Sequence, residues 1–258
     1  MNVLFIGDVT GKSGLQYVKE VLPKLLATHD VDLVIANAEN SAWNGRGITS
    51  ASVEFLYDCG VEIVTLGNHV WDQKEAQELI AHDDRIVRPA NLPVGVPGRG
   101  YTVCSVGKHR FAVVSLIGRT FMGLSDCPFR ALDRIVDELG HDVKHIFVDF
   151  HGEATSEKIA FGFYADGKVS AVVGTHTHVQ TADERILPKK TAYLTDVGMT
   201  GPKDGVLGMK RDVVIQRFLD QMPAKYEVAD GARQFSAVFI TLRDDGMASS
   251  IERMYITE

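Results

Sequence analysis

The sequence predicts an α/β protein in which helices flank a layered, mixed β-sheet, with antiparallel strands in the carboxyl third. Three observations support this fold class. Short apolar segments rich in β-branched residues recur through the first two thirds of the chain, as is typical of buried strands. Helical patterns lie between several of these segments. In the carboxyl third, apolar and polar residues alternate, which is typical of antiparallel strands.

Each buried strand is predicted from a continuous apolar run, and these runs are residues 2–6, 32–36, 62–66, 111–116, 145–150 and 171–174. The intervening segments predict three helices. Residues 14–29 place apolar side chains at nearly helical spacing, with Pro23 expected to kink the helix. Residues 49–60 begin with a Thr cap and end at a glycine, whereas residues 128–140 begin with proline and end with glycine.

Three further segments, residues 191–198, 235–243 and 249–257, predict antiparallel strands, and residues 196–209 form a glycine-rich loop. No repeat, low-complexity tract or linker interrupts the chain. We therefore expect a single domain over residues 1–258.

Composition limits the partners that the protein can have. The net charge is −7 over 258 residues, which argues against a broad contact with duplex nucleic acid or an anionic membrane. No run approaches the length of a membrane span, and we expect no signal peptide. Three cysteines without metal-type spacing, Cys59, Cys104 and Cys127, indicate buried thiols in a reducing compartment, so we expect a cytoplasmic protein.

The first strand leads into Gly7, and Gly11-Lys12-Ser13 follows, which suggests a nucleotide-binding P-loop. That motif needs four residues between its first glycine and the Gly-Lys-Ser, because a loop of fixed length curls its N–H groups around phosphate. Only three residues lie between them here. The competing interpretation is that Asp8 is functional, at the carboxyl end of a strand, and that Gly11-Lys12-Ser13 belongs to the start of the first helix.

Polar side chains follow five of the predicted strands. They are Asp8, Glu39 with Asn40, Asn68 with His69, His151, and His176 with His178. Ligand sites in α/β sheets lie at the carboxyl ends of strands, so these side chains are candidates for one site. If extended, the segment His-Thr-His would put both imidazoles on one face. Imidazole, carboxylate and amide groups without thiolate suit Mn, Fe or Zn better than they suit a structural zinc site.

The order Gly-Asp, an acid, Gly-Asn-His, His and Gly-x-His-x-His resembles the calcineurin-like metallophosphoesterases. More narrowly, "IGDVTG", "NAENSA", "LGNHVWD", "DFHGEATSEK" and "VGTHTHVQTAD" resemble the YmdB family, a branch of 2′,3′-cyclic-nucleotide phosphodiesterases. The resemblance extends from residue 3 to about residue 257 and implies the layered metallophosphoesterase fold. Two positions depart from the broader superfamily and are shared with the YmdB branch: Thr10 replaces a histidine, and Glu39 replaces an aspartate.

The resemblance implies two divalent metal ions, with Fe or Mn favoured and Zn or Mg as alternatives. One metal would be held by Asp8, Glu39, Asn40 and His178, with Asn40 as the substitute ligand. The other would be held by Glu39, Asn68, His151 and His176, so that Glu39 bridges the two.

By the same resemblance, the protein is a phosphodiesterase that converts 2′,3′-cyclic nucleotides to 3′-phosphates. A hydroxide bridging the two metals would be the nucleophile, and His69 would protonate the leaving oxygen. Asp72 would orient His69, or would instead cap a helix. Trp43, Phe121 and Arg119 are candidate pocket residues, together with the glycine-rich loop.

Two other functions stay open at this point. One is a phosphomonoesterase that acts on small phosphate esters with the same ligands. The other is non-catalytic: a metal-dependent nucleotide sensor, or a regulatory partner of an RNA-handling protein, with little turnover. Assembly into a homo-oligomer also stays open, because edge strands of the carboxyl third could pair between copies.

Overall fold

The computed structural model describes all residues, 1–258, and contains two β-sheets and six helices. The strands are β1 Asn2–Ile6, β2 Leu33–Asn37, β3 Ile63–Thr65, β4 Ile86–Val87, β5 Tyr101–Val106, β6 His109–Ile117, β7 His145–His151, β8 Ala171–Thr175, β9 Arg185–Ile186, β10 Ala192–Leu194, β11 Gly201–Pro202, β12 Arg233–Leu242 and β13 Ala248–Thr257. The helices are α1 Gly11–Thr28, α2 Ser50–Asp58, α3 Ala76–His82, α4 Pro128–Leu139, α5 Thr155–Ala165 and α6 Arg211–Asp220.

The first sheet has seven strands in the order β11-β12-β1-β2-β3-β4, with β13 paired to β12. Strands β1 to β4 are parallel, whereas β12 is antiparallel to both β1 and β13. The second sheet has the order β5-β6-β7-β8-β10-β9. Its four inner strands are parallel and its two edge strands are antiparallel to their neighbours. Both sheets are therefore mixed.

The two sheets pack face to face between layers of helices. Phe5 of β1 and Phe147 of β7 meet in the apolar cluster between the sheets, with ring centroids 5.1 Å apart. A second cluster joins the first sheet to α1 and α2, and a third joins the second sheet to α4 and α5. Strands buried on both faces need continuous apolar sequence, which explains the uninterrupted apolar runs of β1, β2 and β7.

The predicted α/β fold class is confirmed, and each of the six apolar runs overlaps a strand. The prediction for residues 191–198 is wrong in part. Only Ala192–Leu194 form a strand, β10, which is parallel to β8 and antiparallel only to the short edge strand β9. Alternation along a strand reports which faces are buried but not the direction of its neighbours, so the pattern could not separate these cases.

The first helix begins at Gly11, three residues earlier than predicted, and continues through Pro23. Gly11 has a φ of 62°, which a glycine adopts without strain. Gly11, Lys12 and Ser13 form the first turn of α1, as the second interpretation of this motif expected. In α2, Thr49 is the N-cap and forms a capping box with Ser52, as its sequence predicted.

Two further expectations concern the membrane and the thiols. No helix of the structure combines the length and apolar character needed to cross a membrane. Cys59, Cys104 and Cys127 carry free thiols and are half-buried, which is less than the sequence predicted.

A buried ion pair between Lys158 and Asp196 holds the carboxyl end of β8 in place. The Lys158 ammonium in α5 lies 2.6 Å from Asp196 Oδ2 and donates to the Thr175 carbonyl at 2.7 Å, and both members of the pair are buried. Asp196 also accepts from the N–H groups of Thr177 and Gly198. A buried ion pair is stable only when its remaining polar capacity is satisfied, and this one is. It therefore holds the turn after β8 against α5.

Candidate metal centre and active site

The structure brings all eight predicted site residues to one edge of the two sheets. Their positions are Asp8 after β1, Glu39 and Asn40 after β2, Asn68 and His69 after β3, His151 at the end of β7, and His176 and His178 after β8. Asn37 of β2 donates to Asp149 of β7 at 2.9 Å, so the carboxyl ends of both sheets' parallel strands meet. The parallel direction of these strands explains why residues far apart in sequence converge.

The first group of side chains surrounds His151. Its Nε2 atom lies 3.2 Å from Glu39 Oε1, 2.8 Å from Asn68 Oδ1 and 3.0 Å from His176 Nδ1. The potential ligand atoms of Glu39, His151 and His176 all lie within 4.8 Å of one another. Carboxylate, amide and imidazole groups thus converge on one small volume.

A second group of side chains also contacts Glu39, at the same carboxylate oxygen, Oε1. Asn40 Nδ2 is 3.2 Å from Glu39 Oε1 and 3.3 Å from His178 Nε2, and His178 Nε2 is 3.9 Å from Asp8 Oδ1. The amide nitrogen of Asn40, rather than its oxygen, faces these atoms. Binding a cation through the oxygen would require the side-chain amide of Asn40 to rotate by about 180°, since only the oxygen has lone pairs to offer a cation.

The turn that carries His176 and His178 is not extended, which corrects the prediction. His176 has a φ of 104° and His178 a φ of 66°, a region that non-glycine residues rarely occupy. Strand β8 stops at Thr175, and Asp8 and Asp196 then accept the N–H groups of His176 and Thr177. These carboxylates stabilise a strained turn that brings both imidazoles into the site.

Glu39 is held where the two groups meet. Its Oε2 accepts from the His69 N–H at 3.1 Å, and its own N–H donates to Asn37 Oδ1. Gly67 packs directly against it: a Cβ at this position would lie 2.3 Å from Glu39 Oε2 and 2.5 Å from His151 Nε2. The glycine of the Gly-Asn-His motif is therefore required by close packing.

Each of the three histidines has an acceptor on the side away from the cluster. His151 Nδ1 is 2.9 Å from Thr175 Oγ, His176 Nε2 is 3.0 Å from Glu153, and His178 Nδ1 is 3.1 Å from the Leu207 carbonyl. An outer acceptor holds the N–H of a neutral imidazole on that side and leaves the lone pair of the other nitrogen facing inward.

The tautomer of His151 follows from the groups behind it. The buried Asp149 carboxylate accepts from Asn37, Thr65 and Thr175. The hydroxyl of Thr175 has one proton, which it donates in a hydrogen bond to Asp149. Thr175 Oγ must therefore accept from His151 Nδ1–H. The Nε2 lone pair of neutral His151 therefore faces Glu39 and Asn68.

The buried carboxylates of the site require a neighbouring positive charge. Burial raises the pKa of Asp8 to about 6, despite the opposing effect of His178. Burial would also raise the pKa of Glu39, but His151 outweighs it and lowers the pKa to about 2. Burial would lower the pKa of His151, but Glu39 raises it to about 9. Without another cation, a proton on His151 balances Glu39.

These residues fit a divalent cation. Asp8 Oδ1 is buried and has no hydrogen-bond partner, which is costly for a carboxylate oxygen. Burial and the neighbouring His151 lower the pKa of His176 to about 3, so this imidazole is neutral and able to ligate. Oxygen and imidazole ligands without thiolate suit Mn, Fe or Zn.

His69 lies beside this cluster and faces the cleft. Its Nδ1 is 2.9 Å from Asp72 Oδ2, and the Arg46 guanidinium is 3.0 Å from the same oxygen. Asp72 does not cap a helix, because α3 begins at Ala76 with Glu75 as its N-cap. The alternative role for Asp72 is therefore excluded, and its carboxylate is placed to orient the His69 ring.

A cleft of about 630 Å³ opens over the cluster. The sequence did not single out the three cationic side chains of its lining, Arg46, Arg217 and Lys225, or the ring of Tyr226. The glycine-rich loop contributes Leu207, as predicted, but Phe121 and Arg119 do not line the cleft, and Trp43 lines a neighbouring pocket instead. An arginine between two glycines, as in Asn44-Gly-Arg-Gly, was the one sequence signal that could have indicated Arg46.

A family model described as YmdB-like protein matches residues 4–254. The chain belongs to the YmdB-like family. This YmdB-like protein is 48% identical to a protein of Bacillus subtilis (strain 168) named 2′,3′-cyclic-nucleotide 2′-phosphodiesterase, over 100% of this chain and 98% of the relative.

Two solved structures match this YmdB-like protein closely. A protein of Thermus thermophilus has a TM-score of 0.94 at 42% identity, with 100% of both chains covered. A phosphatase of Mycoplasma pneumoniae has a TM-score of 0.95 at 35% identity, covering 100% of this chain and 93% of that one. The predicted family, metallophosphoesterase fold and hydrolytic enzyme class are confirmed. A fold of this type implies divalent metal ions, and the His/Glu cluster is a candidate site for them.

Replacing Thr175 by valine is expected to weaken binding of Mn²⁺ about 10- to 100-fold, because His151 loses the acceptor that fixes its tautomer. Titration calorimetry on chelator-stripped protein measures this directly. Thr191→Val is the matched control, since it removes an equally buried hydroxyl beside the amino end of β8. Equal Mn²⁺ affinity in the two variants would contradict the role given to Thr175.

Proposed function

We propose that this chain is a dimetal phosphodiesterase that hydrolyses 2′,3′-cyclic nucleotides to 3′-phosphates. One observation carries the proposal: two groups of ligating side chains share Glu39, with His69 and its partner Asp72 directly beside them. The name of the relative from Bacillus subtilis supports this choice of substrate. A hydrolase of this kind acts on a small molecule, and the cleft has room for a nucleotide.

The metal ligands follow the two groups of side chains. One cation would be held by Asp8, Glu39, Asn40 and His178, and the other by Glu39, Asn68, His151 and His176. The contacts within each group support this division, and so does the contact of the Glu39 carboxylate with both groups. Mn²⁺ or Fe²⁺ suits these oxygen and imidazole donors best.

When bound, the metals would neutralise phosphate charge and supply a nucleophile from water at neutral pH. The protein supplies the proton for the leaving group. His69 protonates the O2′ atom as the bond between phosphorus and O2′ breaks, which leaves the phosphate on O3′. Asp72 accepts from His69 Nδ1–H and stabilises the ring while it carries the proton to be donated. Arg46, which shares Asp72, lies where it can contact a phosphate oxygen.

The first test offers three substrates to chelator-stripped protein with Mn²⁺ or Fe²⁺ added back: 2′,3′-cyclic AMP, 3′,5′-cyclic AMP and a phosphomonoester. Metal-dependent conversion of 2′,3′-cyclic AMP to adenosine 3′-phosphate is expected, because protonation of O2′ by His69 fixes the product. Turnover of the monoester alone would make the protein a phosphomonoesterase. Stoichiometric binding without turnover would make it a nucleotide sensor.

His69→Ala is expected to lower kcat for 2′,3′-cyclic AMP about 100-fold or more, because the leaving oxygen loses its proton donor. The variant should keep the wild-type metal content, measured by inductively coupled plasma mass spectrometry. His82→Ala, on an exposed face of α3, is the matched control. Loss of metal from His69→Ala would show that His69 is a ligand and not the acid.

A further inference from the structure

We propose that the cleft continues into a groove that binds the 5′ side of a short single-stranded RNA, so that the substrate is an RNA end carrying a 2′,3′-cyclic phosphate. This inference rests on the proposed function, because the inner cleft must receive the cyclic phosphate. The groove begins at the metal centre and reaches the first turn of α1.

The groove consists of two adjoining pockets. The inner one is the cleft over His69 and His176, and the outer one is lined by Lys12 and Trp43. Three residues, Asn44, Lys225 and Tyr226, line both pockets and so form their common wall. The two pockets therefore adjoin at these three residues, and in our proposal a ligand bound at the metal centre extends past them into the outer pocket.

Each pocket contains a cation beside an aromatic ring. The Arg217 guanidinium lies 5.4 Å from the centroid of Tyr226, and the Lys12 ammonium lies 5.3 Å from the centroid of Trp43. Trp43 is 64% exposed and Tyr226 is 39% exposed, so both rings are accessible from solvent. Aromatic faces on which bases stack, alternating with cations for the backbone, are typical of single-stranded nucleic acid sites.

Three of the groove's cations have no acidic side chain as an ion-pair partner within the protein. Lys12, Arg217 and Lys225 have no carboxylate within ion-pair distance, whereas Arg46 pairs with Asp72, and Arg233 with Glu20 and Glu258. The outer pocket also contains two carboxylates, Glu227 and Asp230, of which Glu227 pairs with Lys210. Unpaired positive charge is therefore available along the groove in a chain whose net charge is −7.

The walls of the groove are anchored to the fold. Gly45 has a φ of 79°, and a Cβ there would lie 2.6 Å from Val228, so the loop from Trp43 to Arg46 packs against the opposite wall. The Gly11 N–H donates to the Asn40 carbonyl at 2.8 Å, which joins the start of α1 to the metal centre. The two aromatic platforms thus keep a fixed relation to the site of chemistry.

A mononucleoside 2′,3′-cyclic phosphate offers one charge and one base, which the inner cleft can accommodate. It leaves Lys12 and Trp43 without a ligand. Cleavage of RNA by attack of a 2′-hydroxyl on the adjacent phosphodiester produces a 3′ end with the same cyclic phosphate, preceded by further bases and phosphodiesters. Such an end supplies both the base and the charge that the outer pocket fits, and a cleavage reaction of this class would supply the substrate.

The test compares adenosine 2′,3′-cyclic phosphate with the trinucleotide ApApA ending in a 2′,3′-cyclic phosphate, using metal-loaded protein. The trinucleotide is expected to have a kcat/KM about tenfold higher or more, from stacking and phosphate contacts. Trp43→Ala and Lys225→Ala should bring the ratio of the two kcat/KM values towards one. Phe121→Ala, which removes an exposed ring outside the groove, should keep the wild-type ratio. A wild-type ratio of one would overturn the proposal.

A binding measurement separates this inference from the proposed function. Fluorescence anisotropy with a labelled hexa-adenylate ending in a 3′-phosphate should show saturable binding that weakens with salt and in Trp43→Ala. If neither cyclic phosphate is hydrolysed, the proposed function is wrong. The binding measurement alone then tests whether the groove binds single-stranded RNA. Absence of saturable binding, or equal binding by wild type and Trp43→Ala, would overturn the proposal that this groove binds RNA.

Discussion

The carboxylate of Glu39 is the group on which the rest of the site depends. It contacts His151 of the second sheet, Asn40 of its own loop and the backbone of His69 after β3. Because it is buried, its charge must be balanced within the protein. A proton on His151 balances it in the absence of other cations, and metal ions would do so in the enzyme. One buried charge thus connects both groups of candidate ligands with His69, the proposed proton donor.

The scaffold holds this charge through polar contacts between the sheets. Asp149 in β7 accepts from Asn37 of β2 and Thr65 of β3, and so joins the carboxyl ends of strands from both sheets. Lys158 and Asp196 hold the turn that presents His176 and His178. The strained φ angles of these histidines persist because buried partners on both sides determine the conformation of the turn. Precision at the site therefore depends on satisfied polar groups beneath it.

The sequence predicted the fold class, the six central strands and the site residues that converge, because each buried strand is a continuous apolar run and polar residues follow its carboxyl end. It did not predict the direction of β10, which depends on the path of residues 176–191 around the sheet. The extended form of His-Thr-His, considered as a condition from the sequence, does not occur because Asp8 and Asp196, remote in sequence, hold the segment as a turn. Arg217 and Tyr226 were missed because no periodicity marks a side chain that reaches a cleft from a surface helix or loop. The single-domain prediction and the assignment of each ligand to its metal stay predictions.

Metal content tests the central claim that Glu39 joins two metal sites. Wild-type protein, reconstituted with Mn²⁺ and freed of excess metal by gel filtration, should contain about two ions per chain by mass spectrometry. Asn40→Ala should lower the occupancy of one site, whereas Glu39→Gln should lower the occupancy of both, because the Glu39 carboxylate contacts side chains of both groups. One ion per chain in the wild type, or two ions in Glu39→Gln, would contradict the account.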